Sequence, residues 1–184
     1  FQLAEYDHRT PLVIDPILDY STYLGGSEWE SAYDITVDAT GNACVTGYTL
    51  SSDFPSLNAN DVTYHGYHDI FVTCLDSAGQ LVFSTYLGGG GNDNEQVLKK
   101  GPDNNIYLTR NTSSPDFPAI NAVHASRSGW RDAFVTRLDA SGIPVYSTYF
   151  GGSISPTTSR YQESAGHGIA IDGDGNAYIT GSTN

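Results

Sequence analysis

Apolar and polar residues alternate with period two along most of the chain, and clusters of Gly, Asn, Asp and Ser interrupt the alternation every several residues. Asp34-Ile-Thr-Val-Asp38 reads as a first strand, with Ala39-Thr-Gly-Asn42 as a tight turn, because Gly and Asn accept the positive φ that hairpins need. A second strand is predicted over Asn42–Tyr48. A longer loop follows, carrying Asp53-Phe54-Pro55, and leads to a third strand over Asp69–Leu75. Ser77-Ala-Gly-Gln80 then turns the chain into a fourth strand, Leu81–Leu87, which ends at a Gly-Gly pair. No stretch has convincing helical periodicity.

This pattern is copied. Ser-Thr-Tyr-Leu-Gly-Gly at Ser21–Gly26 returns 63 residues later at Ser84–Gly89, and again as Ser-Thr-Tyr-Phe-Gly-Gly at Ser147–Gly152. Asp53-Phe54-Pro55 falls on Asp116-Phe117-Pro118, and Phe71-Val72-Thr73 on Phe134-Val135-Thr136. The third copy carries a short insertion after Gly152 and then recovers the pattern, with Asp172–Gly181 matching Asp38–Gly47. A fixed period means one supersecondary unit stacked on its copies. Four antiparallel strands per unit favour an all-β fold of β-propeller-type blades over a β-solenoid, whose coils are shorter.

The boundaries follow from the period: a lead-in strand segment over 1–16, a fourth strand of a preceding or shared blade over 17–30, blade one over 31–89, blade two over 90–152, and the first half of blade three over 153–184. That amounts to about three blades, where a closed propeller takes roughly four to eight. An incomplete ring is therefore expected in this chain, with blades completed by a longer chain or by another subunit. Thr10–Asp15 and Ile17–Leu24 would serve as third and fourth strands for the trailing pair of a second copy, giving a closed homo-oligomer or a head-to-tail filament. One stretch departs from the pattern. Lys100 stands where Val37 does, so either blade two is distorted there or Lys100 meets a carboxylate.

Tyr-Ser-Thr-Tyr-Leu-Gly-Gly, Gly-Asn-Ala-Tyr-Ile-Thr-Gly, Ser-x-Asp-Phe-Pro and Asp-Ala-Phe-Val-Thr-x-Leu-Asp together resemble the bacterial SBBP repeat, a β-propeller repeat. Tyr6-Asp7 followed by Arg9–Pro16 looks like the segment that leads into the first such repeat. The resemblance covers nearly the whole chain and implies a secreted or surface protein in which the repeats act as scaffolds or binding modules. It implies no reaction.

Composition narrows the partners. The formal charge of −13 argues against nucleic acid and anionic membranes, and no run reaches the length of a membrane span. It suits a solvated extracellular or cell-surface protein. The chain begins at Phe1 rather than Met, which points to processing or to a segment of a longer protein. Cys44 and Cys74 lie in the first copy, opposite Tyr107 and Arg137 of the second, so those positions do not read as a buried apolar slot there. They form either a cross-strand disulfide or two thiols, depending on register.

Candidate chemistry is sparse. Asp172-Gly-Asp174-Gly-Asn176 has the oxygen-rich alternation of a calcium loop but lacks the distal Glu of an EF-hand, and it recurs as a hairpin turn, which favours a structural role. Calcium is thus the one cofactor the sequence suggests, and no other is expected. His65, His68 and Asp69 present metal-ligand chemistry, but only the Asp recurs, as Asp132, which suits a turn cap. Asn111-Thr112-Ser113 is a glycosylation sequon. Tyr67 and Trp130 share a place in the long loop, where exposed aromatic rings would stack on carbohydrate; Tyr23, Tyr86, Tyr149, Phe54 and Phe117 read instead as blade core. No nucleophile elbow or isolated carboxylate pair marks a catalytic centre. The expectation is a non-catalytic repeat scaffold with a structural or adhesive role. The alternatives are a self-assembling fibre subunit and a carbohydrate-binding or polysaccharide-active propeller.

Overall fold

The computed structural model describes residues 18, 20–152 and 163–183, which form antiparallel sheets and no helix. Strands β1 (Glu30–Val37), β2 (Ala43–Thr49), β3 (Asp69–Leu75) and β4 (Leu81–Leu87) pair in chain order as one four-stranded sheet. Strands β5 (Asp93–Lys100), β6 (Ile106–Thr112), β7 (Asp132–Leu138) and β8 (Pro144–Phe150) repeat it, and β9 (Ala165–Ile171) and β10 (Ala177–Ser182) form a hairpin. This is the propeller-like meander expected from the alternation, with the ring left unclosed.

The first strands run further back than their alternating cores suggest. A bulge between Ala32 and Asp34 in β1, and a wider one between Asn94 and Val97 in β5, lets each strand resume pairing up to Glu30 and Asp93. In the first and third copies the bulge lies at the Thr-Gly pair of the second strand. A Cβ on Gly47 would stand 2.0 Å from the Ser31 carbonyl oxygen, and one on Gly181 2.0 Å from that of Ala165. Only glycine allows the backbones that close.

Sheets stack face to face. β5 lies against β1, β2 and β3, and β9 against β5, β6 and β7. The central core is shared between the first two sheets: Ile70, Val72 and Leu87 of one pack with Leu98, Ile106 and Leu108 of the other. Lys100 does not distort its blade. β5 runs through it, and Nζ donates to Asp38 Oδ2 of the preceding sheet at 2.7 Å. Of the two readings of that site, the carboxylate partner is the one realised, because the β1–β2 turn of the blade before starts at Asp38, where the Lys100 side chain arrives.

The leading segment differs from expectation. Tyr20–Trp29 forms no strand, although it carries the fourth-strand motif, because no third strand lies beside it among the described residues as β3 lies beside β4. Thr10–Asp15 falls outside the described residues, and so does Ile17. Two apolar surfaces face solvent. Ile35 is 59% exposed, while Leu98 at the same place in the next blade is fully buried. At the other end β10 is almost wholly exposed, Tyr178 and Ile179 included.

Candidate functional site

Strand directions put the connections on two rims. The long loops, 50–68 and 113–131, share one rim with the segments that link blades, 25–29 and 88–92; the tight hairpin turns lie on the other. The turn rim is built of one device. In Asp38, Asp76, Asp139 and Asp172 alike, Oδ1 accepts the backbone N–H groups two and four residues on, and a glycine of positive φ three residues on completes the turn. Asn104, with φ of 62°, replaces that glycine in the second copy.

The candidate calcium loop is one of these turns. Asp172 Oδ1 accepts from Asp174 N and Asn176 N, and Oδ2 accepts from Asn176 Nδ2 and Tyr178 Oη. The carboxylate of Asp172 is thus engaged by its own turn, and Asp174 enters through its backbone. The Asn176 amide leads the partners that hold Asp172 below the usual carboxylate range. No group of three or more His, Cys, Asp or Glu is poised for a metal among the described residues. Asp38 is held lower still, first by the Lys100 ammonium.

The loop rim holds a latch that the repeat period alone did not reveal. Ser51 Oγ accepts from Glu28 N and donates to Glu30, while Asp53 Oδ1 accepts from Ser27 N at 2.9 Å. One blade on, Ser114 Oγ accepts from Gly91 N and donates to Asp93, and Asp116 Oδ1 accepts from Gly90 N at 2.8 Å. Thr49 and Thr112 hydroxyls donate to the same two acids, Glu30 and Asp93. Each Ser-x-Asp motif therefore clamps the Gly-rich segment arriving from the blade before. The Phe of the motif turns inward. Phe54 stacks on Phe71 at 4.6 Å between ring centroids, and Phe117 lies tilted against Phe134 at the same distance. Tyr86 Oη donates to Ser51 O and accepts from Phe54 N; Tyr149 Oη donates to Ser114 O. Tyr23, the first copy's equivalent, is fully exposed, with no such loop against it among the described residues. A pair of acids at one repeat position, Glu30 and Asp93, was the signal in the sequence that would have pointed to the latch.

The other candidates separate cleanly. Cys44 and Cys74 face each other across β2 and β3 and are joined by a disulfide, with Cα atoms 4.1 Å apart. In the second blade Tyr107 and Arg137 occupy the same cross-strand pair, and the guanidinium lies 5.4 Å from the ring centroid. That position is buried after all: Tyr107 is fully enclosed, its hydroxyl donating to Gly175 O, because the next blade's turn covers it. Asn111 is also buried, paired with Ala133 inside β6, so in the folded chain the sequon presents no amide for a glycan. Tyr67 and Trp130 are exposed on the loop rim.

Asp69 and Asp132 cap loops, as their recurrence suggested. Asp132 accepts Ser128 N and Gly129 N through its two oxygens. Asp69 accepts only His65 N, and its Oδ1 has no partner among the described residues although the residue is fully buried. Burial, with the nearby Asp93 carboxylate adding to it, pushes Asp69 up to about 6. The two histidines have separate partners, His65 meeting Asp61 at 3.1 Å and His68 meeting Asn92 at 2.7 Å.

Two windows with the same layout, 19–55 and 145–184, match the family model of the SBBP beta-propeller repeat. The chain carries SBBP repeats. A search of curated proteins finds no match. Each matched window opens at or just before the Tyr-Ser-Thr-Tyr motif and runs through the Gly pair into the first two strands of the next blade. Each matched window thus spans a blade junction, and the first contains the Ser27, Glu28, Glu30, Ser51 and Asp53 of one latch. The second copy, outside both windows, is the one in which Lys100, Tyr107 and Arg110 replace Val37, Cys44 and Gly47.

Proposed function

We propose that this SBBP chain is a non-catalytic scaffold, extracellular or at the cell surface, whose open sheets take further blades of the same kind in a structural or adhesive role. The observation that carries it is the pairing of buried and exposed equivalents. Leu98 is enclosed by the neighbouring blade and Tyr149 by the long loop of its own blade, whereas Ile35 and Tyr23 present the same chemistry to solvent. Apolar sheet faces of that kind are association surfaces. The recurrent carboxylates of the turns and latches accept backbone and hydroxyl donors, which supports a structural role for them. The disulfide and the strongly acidic surface suit an oxidising exterior.

Protease treatment of intact source cells tests the location. The scaffold reading expects the chain in the medium or degraded at the surface, with Cys44 and Cys74 oxidised. A protected, reduced chain recovered only from the cell interior would overturn it. Self-assembly into a fibre is a second reading, favoured by repeat arithmetic. Tyr178 occupies the position of Cys44 and Tyr107, and Ile35 that of Leu98, so the exposed face of one copy matches the exposed face of another.

A further inference from the structure

On the loop rim, the long loop of each complete blade carries one outward aromatic ring. Tyr67 is 74% exposed and Trp130 53%, and they occupy the same repeat position. Their rings are exposed although their backbones are fixed. Tyr67 N donates to Gly91 O of the next blade, and Tyr67 O accepts from Tyr64 Oη at 2.8 Å. Trp130 O accepts from the Arg127 guanidinium at 2.6 Å. The flanking residues turn inward: His68 is bonded to Asn92, and Gly129 N to Asp132. A chain pinned on both sides with a large ring left in solvent presents a preorganised flat apolar surface. Beside Tyr67 lies a shallow open depression of about 760 Å³, whose lining includes Ser27, Glu28, Ser52 and His65. Hydroxyl, carboxylate and imidazole groups around an aromatic floor match a sugar ring, which has apolar C–H faces and a hydroxyl edge.

We propose that this rim binds a neutral polysaccharide, with Tyr67 and Trp130 as successive stacking platforms. The charge decides the class: Glu28 in the depression and a net charge of −13 repel uronic and sulfated chains. The periodicity decides the form. Stacked sheets lie roughly 10 Å apart, so a linked chain reaches both rings where a short sugar reaches one. The inference deepens the adhesive half of the proposed function and rests on it.

Calorimetric titration with neutral hexaoses (cello-, chito-, xylo- and mannohexaose) and with polygalacturonate tests it. At least one hexaose is expected to bind, and its disaccharide to bind about tenfold more weakly. Tyr67→Ala and Trp130→Ala are each expected to weaken binding about tenfold, with Tyr67→Phe retaining it. Both side chains are exposed, so the variants keep the wild-type melting temperature. Absence of binding by all four hexaoses, binding insensitive to both substitutions, or binding of polygalacturonate alone would overturn the proposal. Blade association measured on the same samples separates the two readings. If association persists without sugar binding, the ligand fails and the scaffold stands.

Discussion

At the scale of single residues, the chain uses its acids in two opposite ways. Turn acids such as Asp38 and Asp172 are exposed to donors that favour the carboxylate, so their protonation removes support from the folded state as pH falls through their lowered folded values. Asp69 does the reverse. Its folded value is raised to about 6 by burial, so the native state holds the proton more tightly than the unfolded chain does. Its contribution to stability is therefore greatest at low pH and is lost as pH rises from about 4 to about 6. Asp69→Asn keeps an acceptor for His65 N and removes the ionisation. It is expected to stabilise the protein at pH 8, on the order of 1–3 kcal/mol, and to have little effect at pH 4. Denaturant titrations at the two pH values measure this, and a variant less stable at pH 8 would refute it. A second residue-scale prediction concerns the latch. Tyr86→Phe removes the hydroxyl that joins Ser51 O to Phe54 N in a buried site and is expected to cost about 1–3 kcal/mol. Tyr23→Phe, on an exposed ring, is expected to change the monomer's stability negligibly.

Elements repeat more faithfully than the residues that brace them. The third and fourth strands were legible to the residue, Asp69–Leu75 and Leu81–Leu87, because alternating β-branched and aromatic positions end abruptly at turn residues. The first strands were read too short. Their bulges break the alternation just where pairing resumes, and no local pattern announces a bulge. The latch acids were missed for a different reason: their partners lie some twenty residues away along the chain, and only folding brings them together. Cross-strand bracing differs between blades, a disulfide in the first and an Arg–Tyr contact in the second. Reduction is therefore expected to act on blade one. Closing a loop of that size contributes about 3–4 kcal/mol, so a reductant should lower the melting temperature measurably. Amide exchange should rise in β2 and β3 before β6 and β7, and uniform loosening of both sheets would contradict this.

For the whole molecule, the sequence carried the architecture through its period and left the function to its surfaces. Two blades and a hairpin stack without closing, and burial falls away at both ends. Ile35 and Val37 face solvent at one end, Tyr178 and Ile179 at the other. The most direct test is the mass of the particle in solution, by light scattering over a range of concentrations, for the wild-type chain and for the pair Ile35→Lys and Val37→Lys. Open blade faces predict a mass that rises with concentration above the 19.8 kDa of one chain, and lysine substitutions that return it to a folded monomer. A wild-type chain that stays a monodisperse 19.8 kDa monomer at every concentration would contradict the claim that these faces exist to take another blade.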